Sequence, residues 1–223
     1  MTYPDSFPVL LSLRVATTAL VLVAPVGIAL AWLQARKSYR GRNIVDAVVL
    51  LPLVLPPSVI GYFFVVLLGR RGPIGSWLSW AFDMQLIFSP AAAIVASATV
   101  ALPMLVKTAQ PAIESVPADL EAVGRSLGLG PLAVFFRVTL PCAWRGIVAG
   151  LVLGFARAIG EFGATLMFAG NIPGRTNTMP LEIFAAYQAG DDRRALLYVA
   201  TLVVISCVVV VLATRLTPRE AHA

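Results

Sequence analysis

Hydrophobic residues fall along the chain in long blocks free of charge, namely Val15–Leu33, Ala47–Gly69, Leu86–Val106 and Ala195–Thr214. Their lengths of 19, 23, 21 and 20 residues match the stretch of about 20 apolar residues that a helix needs to cross the hydrocarbon core of a bilayer. A fifth block, Gly146–Ile172, is 27 residues long but carries Arg157 and Glu161, which predicts a span with a polar face turned away from lipid. The pattern therefore predicts an all-α integral membrane protein with about five transmembrane helices. The weakly apolar run Leu181–Gly190 is too short to span and reads as a sixth, short helix at one face. The first block reads as a retained helix and not as a cleaved signal.

Five spans put the termini on opposite sides, and the distribution of Lys and Arg between alternate connections decides which side is which. One set holds Arg36, Lys37, Arg40, Arg42, Lys107, Arg125, Arg137, Arg145, Arg215 and Arg219; the other holds Arg70, Arg71, Arg175, Arg193 and Arg194. The imbalance predicts an external N-terminus and a cytoplasmic C-terminus. The chain then reads as a single transmembrane domain over residues 1–223, and its longest hydrophilic connection, 107–145, becomes a cytoplasmic loop where a soluble partner docks.

Composition narrows the chemistry. Only 13% of residues are charged and 59% are hydrophobic, against about 25% charged in a typical soluble domain. The net charge of +6 is spread between apolar blocks instead of along one polar face, which argues against a nucleic-acid partner. The only lysines, Lys37 and Lys107, do not follow a glycine, so the chain has no phosphate-binding loop and any ATP must be hydrolysed by another subunit. The single histidine, His222, lies in the polar tail, and Cys142 and Cys207 fall in separate apolar segments. No metal cluster or disulfide scaffold is expected.

Within 107–145, Ile113, Val116, Leu120, Val123 and Leu127 recur at steps of three and four, which predicts one amphipathic helix. Gly128 and Gly130 stop it, Pro131 suits the first turn of a second helix reaching about Val138, and Leu140-Pro141 closes the unit. On pattern alone this could be a helical hairpin lying on the bilayer. The residues Glu121-Ala122-Val123-Gly124-Arg125-Ser126-Leu127-Gly128, followed by Val138-Thr139-Leu140-Pro141, resemble the E-A-A loop of ABC importer permeases, in the spacing of the oxyanion branch. In that family the loop inserts into a groove of the ATPase. The resemblance gives Glu121, Ala122, Gly124, Leu127, Gly128 and Pro131 a coupling role, with Ala122 and Gly124 small for close approach to the partner and Gly128 for the bend.

Two further blocks extend the likeness. Leu51-Pro52-Leu53-Val54-Leu55-Pro56-Pro57 must kink or break its helix, since each proline removes a backbone hydrogen bond or clashes with the preceding turn. This stretch, with Leu68-Gly69-Arg70-Arg71-Gly72-Pro73, is similar to the second span of molybdate permeases. Arg157 and Glu161 stand one turn apart, where they can pair, as a staple between helices or as part of a gate. Gly160-Glu161-Phe162-Gly163-Ala164-Thr165 and Asn171-Ile172-Pro173-Gly174-Arg175-Thr176-Asn177-Thr178-Met179-Pro180 resemble the signature of molybdate importer permeases.

The resemblance implies a type I ABC importer fold and a homodimer with a pore on its two-fold axis. It implies two copies of an ATPase that binds the ATP and Mg, and a periplasmic or lipid-anchored binding protein that delivers molybdate or tungstate. The setting is a bacterial or archaeal inner membrane. Pro56, Pro57, Arg157, Gly160, Glu161 and Gly163 are then gate candidates, and Arg70, Arg71 and Arg175 stand at the external mouth, where cations attract an oxyanion. This subunit carries no catalytic residue in that reading. Sulfate, thiosulfate or phosphate import by the same architecture is the nearest alternative. A secondary transporter fits less well, because no inverted repeat is visible and the intramembrane charges amount to one Arg–Glu pair.

Overall fold

The computed structural model describes residues 5–216; Arg219 and His222 lie outside the described residues. Four runs are long and apolar enough to cross a membrane: α1 (Phe7–Arg36), α5 (Pro90–Glu114), the continuous helical run Pro131–Ile159 and α11 (Asp192–Leu216). The pair α2 (Arg42–Val54) and α3 (Pro57–Leu68) is long and apolar enough only when taken together, and is bent by 112° at the break between them, in the form of a broken span or a re-entrant loop. Pro56 and Pro57 thus produce a break, while Pro52 is accommodated inside α2. Leu55 before Pro56 is extended (φ −73°, ψ 142°), as a residue preceding proline prefers, and Pro57 opens α3 at a position where its missing N–H costs nothing.

A seam of small residues holds the centre. Along α8 (Leu140–Ile159), Gly146, Gly150 and Gly154 recur every fourth residue and face α5. A Cβ on Gly146 would run into Ala112, one on Gly150 would sit 3.1 Å from the Leu105 carbonyl, and one on Gly154 would meet Ala101. The order of these contacts makes α5 and α8 antiparallel. Gly27 of α1 lies against Leu105 in the same way. Lipid supplies little hydrophobic drive for helices to associate, so close backbone packing has to do so. Beside the seam, α2 is tied to α5 through Asp46 and Lys107, 2.6 Å apart.

Three expectations are corrected. The window 146–172 is not one helix: α8 ends at Ile159, and after Gly160 (φ −90°, ψ 8°) the chain restarts as the short α9 (Gly163–Phe168). The crossing begins earlier instead, at Pro131, so Arg157 lies in its last turn and Glu161 beyond it. The stripe 113–127 is also not one helix. Ile113 is buried in the last turn of α5, Val116 is buried in the break, Leu120 and Val123 lie exposed on α6 (Ala118–Ser126), and Leu127 lies exposed at its C-cap. Finally, Leu140-Pro141 closes nothing. The helix runs from α7 (Pro131–Val134) through a π-turn, Phe135–Thr139, into α8. The wider turn lets Leu140 donate to the Phe135 carbonyl and eases the place where Pro141 has no N–H to give. A helix between Pro73 and Phe82, α4, follows the Arg70-Arg71 turn without having been foreseen, and α10 (Met179–Gln188) is the short helix expected near Leu181–Gly190.

Replacing Gly150 with Leu should destabilise the bundle by about 1–3 kcal/mol, because a side chain there meets the backbone of α5. Unfolding of the detergent-solubilised protein measures this, and an unchanged midpoint would mean that α5 and α8 can separate freely.

Candidate coupling and translocation site

The buried residues of α6 are Glu121 and Gly124, while Asp119 and Arg125 stay exposed. Glu121 is only 6% exposed, and a carboxylate so placed needs charged or hydrogen-bonding partners, since an unpaired buried charge costs several kcal/mol. Its Oε1 accepts from Arg36 Nε at 3.0 Å and from the Thr139 hydroxyl at 2.7 Å. Arg36 also donates to the Val116 carbonyl at 2.7 Å, and Arg125 stands 3.9 Å from Glu121 Oε2. One carboxylate thereby joins the end of α1, the break before α6 and the π-turn that leads into α8. Gly124 faces inward beside Glu121, where a Cβ would sit 3.3 Å from Val134. Its small size serves the hairpin's own packing, which departs from the expected approach to a partner.

The exposed surface carries apolar side chains, Leu120 at 47% and Val123 at 57% on α6 and Leu127 at 77% at its C-cap, with Ala122, Asp119 and Arg125 exposed among them. Gly128 reverses the chain with φ +82°, a conformation glycine adopts without steric penalty. The Leu129 N–H then returns to the Gly124 carbonyl at 3.1 Å. Pro131 starts α7. Of the six coupling candidates, Glu121 and Gly124 are internal, Gly128 and Pro131 shape the turn, and Ala122 and Leu127 point outward.

The gate candidates also come together. Arg157 pairs with Glu161 at 2.8 Å, and the Glu161 side chain is almost fully buried. Its other oxygen accepts from the Ala164 N–H at 2.9 Å, so the carboxylate both answers the Arg157 charge and holds the start of α9. A Cβ on Gly163 would lie 2.9 Å from Pro57 Cβ, and one on Gly61 would lie 2.6 Å from Met167 Cβ. The first turns of α3 and α9 therefore touch at the proline break, and the two helices run parallel to a ring contact between Phe64 and Phe168. Gly160 is exposed, with only the Ala156 carbonyl near its Cβ position.

The segment after α9 is a buried polar knot. Thr176 and Asn177 are fully buried. The Thr176 hydroxyl donates to the Gly170 carbonyl and accepts from the Ile172 N–H, while Asn177 accepts from the Gly174 N–H and donates to Glu182. Glu182 in turn meets Arg194 at 2.9 Å, and Ser12 of α1 accepts from the Met179 N–H at 2.7 Å. Only Arg175 of this stretch projects fully outward alongside Pro173 and Gly174. Arg70 donates to Gln85 at 2.8 Å, and Arg71 is exposed beside it. Because the Phe88 N–H donates to the Phe168 carbonyl, these arginines share one end of the bundle with the knot. The structure brings them to that end without placing them in one cluster.

Residues 24–222 match the family described as binding-protein-dependent transport system inner membrane component. The chain belongs to this family. It is 44% identical over 188 residues to the molybdenum transport system permease protein ModB of Escherichia coli K12, covering 84% of this chain and 82% of that one. It is 40% identical to ModB of Haemophilus influenzae over 94% of this chain and 92% of that one, and 41% identical to ModB of Mycobacterium tuberculosis over 96% and 81%. A crystal structure of a bacterial ABC transporter that imports the acidic polysaccharide alginate superposes with a TM-score of 0.74 at 17% identity, over 99% of this chain and 81% of that one. An inward-facing methionine transporter, MetNI, gives 0.67 at 17% identity over 96% and 94%. The protein is thus a multi-pass inner-membrane permease component with the transmembrane fold of ABC importers, as the motifs implied.

In this permease component, sequence reasoning missed the partners that make the site rigid: Arg36, Thr139, Ser12, Glu182 and Arg194. Arg36 was seen only as one of ten cytoplasmic cations. A buried carboxylate on α6 needs a cation, and that requirement was the available signal. Truncating Glu121 to Ala should cost about 3 kcal/mol, since it strands the Arg36 guanidinium. Limited proteolysis should then cut within 115–130 faster while the long helices stay protected. Unchanged cleavage would show that the hairpin is held by other contacts.

Proposed function

We propose that this chain is the translocation subunit of an ATP-driven importer for molybdate, and by the same chemistry tungstate. It works as a homodimer with the path on the two-fold axis. The observation that carries the coupling half of this reading is the two-sided α6, bolted inward by Glu121 and presenting Leu120, Val123 and Leu127 outward. An exposed apolar patch on a short helix with a fixed base suits insertion into a groove of a separate ATPase, two copies of which bind the ATP and Mg. Force applied to α6 passes through Arg36 to α1 and through Thr139 to α8. The molybdate assignment rests on the permease relatives, which are named for molybdenum transport.

In this reading the N-terminus is external, the hairpin is cytoplasmic, and a periplasmic or lipid-anchored binding protein docks at the end that carries Arg70, Arg71 and Arg175. The gate is the joint of α3 and α9 at Pro56-Pro57 and Gly163, stiffened by the Arg157–Glu161 pair. Glu161 is spoken for by Arg157 and Ala164, and a carboxylate repels an oxyanion, so it positions the joint without touching the substrate. The family is a transport component and the chemistry of ATP hydrolysis belongs to the partner.

Cells lacking the gene should lose molybdenum accumulation at limiting external molybdate and regain it when the gene is restored. A fall in sulfate with unchanged molybdenum would instead assign another oxyanion. Leu127→Asp, at an exposed position, should leave the protein in the membrane and reduce transport-coupled ATP hydrolysis at least tenfold. Full coupling in this variant would remove α6 from the ATPase contact. Glu161→Gln should slow transport while the binding protein's affinity stays the same, and loss of assembled complex would show the pair to be a structural staple alone.

A further inference from the structure

Two adjoining cavities lie at the cation-rich end of the bundle, the second of them bordering the Arg36–Glu121 anchor. The first, of about 340 Å³, is a groove with an almost wholly apolar lining. One wall is a stripe of α1, Pro25, Ile28, Ala29 and Trp32, spaced i, i+3, i+4 and i+7. The other is Leu132, Phe135, Phe136 and Leu140, which follow one another from α7 through the π-turn to the start of α8. Leu132 and Phe136 are 70% and 60% exposed, so the groove opens sideways from a helix that crosses the membrane. From Pro25 to Trp32 it runs about 10 Å along α1.

The second cavity, of about 480 Å³, begins where the first ends, because Trp32 and Phe135 line both. These two rings meet edge to face at 5.6 Å. Beyond them the lining turns polar, with Arg36, Lys37 and Arg125 against one carboxylate, Glu121. Arg36 is engaged by Glu121 and the Val116 carbonyl. Lys37 is exposed, and the Arg125 side chain is 56% exposed with its contact to Glu121 at 3.9 Å, so both keep donors for another anion. The sequence of surfaces is then an apolar slot, an aromatic boundary and a net positive pocket. That is the order of an acyl chain, an interface and a phosphate headgroup in a membrane leaflet.

We propose that these joined cavities bind an anionic phospholipid of the adjoining leaflet, with its phosphate on Lys37 and Arg125 and one acyl chain in the groove. A soluble anion leaves the apolar stripe bare, and a zwitterionic lipid brings no net charge to Lys37 and Arg125. The bound lipid touches α1 on one side and α7 with the π-turn on the other, the same elements that Arg36 and Glu121 join. It therefore stiffens the joint and makes its rigidity dependent on membrane composition. The inference needs only the membrane setting of the family, not the identity of the transported anion.

Native mass spectrometry of the purified full-length protein, titrated with phosphatidylglycerol or phosphatidylcholine of identical chains, tests it. The unaltered protein should retain phosphatidylglycerol at least tenfold better. Lys37→Gln with Arg125→Gln should bring the two lipids level; both side chains are solvent-exposed, and Arg36 and Thr139 still hold Glu121 in the double variant. Ala29→Trp, which fills the groove, should reduce retention of both lipids. Equal retention by the unaltered protein, or an unchanged preference in the double variant, overturns the proposal. A photo-crosslinking residue at Leu132 in the membrane should yield a lipid adduct. An adduct with a second copy of the chain or with another subunit would overturn it as well, by showing that protein covers the groove.

Discussion

A carboxylate excluded from water at the meeting point of three backbone segments fixes their relative position, because each donor that leaves it strands a charge or a hydroxyl. Glu121 is such a group. With Arg36 and Thr139 on one oxygen, and Arg36 also holding the Val116 carbonyl, it makes the short hairpin part of the same body as α1 and α8. A helix of nine residues is too short to be stable alone in water. The anchor, the Gly124 packing and the Gly128 reversal supply what length does not. The outward face is thereby left apolar without collapsing onto the hairpin's own core.

The remainder of the bundle shows two opposite uses of residues that disfavour helices. Glycines at every fourth position of α8 lie inside a regular helix and buy closeness to α5. Prolines and glycines at 55–57 and 160–163 interrupt helices, and the two interruptions are packed against each other through Gly163 and Pro57. The Arg157–Glu161 pair sits at that second interruption, with the Glu161 side chain buried. Backbone groups released by a break near the membrane need local partners, and the Glu161 carboxylate supplies one to Ala164.

Much of the fold was legible in charge-free lengths, because hydrocarbon thickness acts on the chain residue by residue. The break at Pro56-Pro57 was legible for the same local reason. What escaped was where tertiary partners decide. The block 146–172 reads as continuous because one glycine and two charges do not lower its hydrophobicity enough to mark an end. The stripe from Ile113 to Leu127 keeps helical spacing although Ser115 to Pro117 break the helix, so it joined residues buried under α1 to residues exposed on α6. Gly124 read as a surface for a partner since its neighbours Val134 and Val138 are ten and fourteen positions away. The segment from Asn171 to Pro180 read as an external loop, and its burial depends on Ser12, Glu182 and Arg194 from three different helices.

The central claim is that hairpin and bundle move as one body. Spin labels at Ser38, just past α1, and at Ser126, the last residue of α6, in a chain with Cys142 and Cys207 replaced, give that distance by pulsed electron resonance. In the transporter assembled with one labelled and one unlabelled copy of the chain, a single narrow distribution is predicted, identical without nucleotide and with ATP trapped. A distribution that broadens or shifts by several ångströms between the two states would mean that the hairpin swings on a hinge, and would contradict the account.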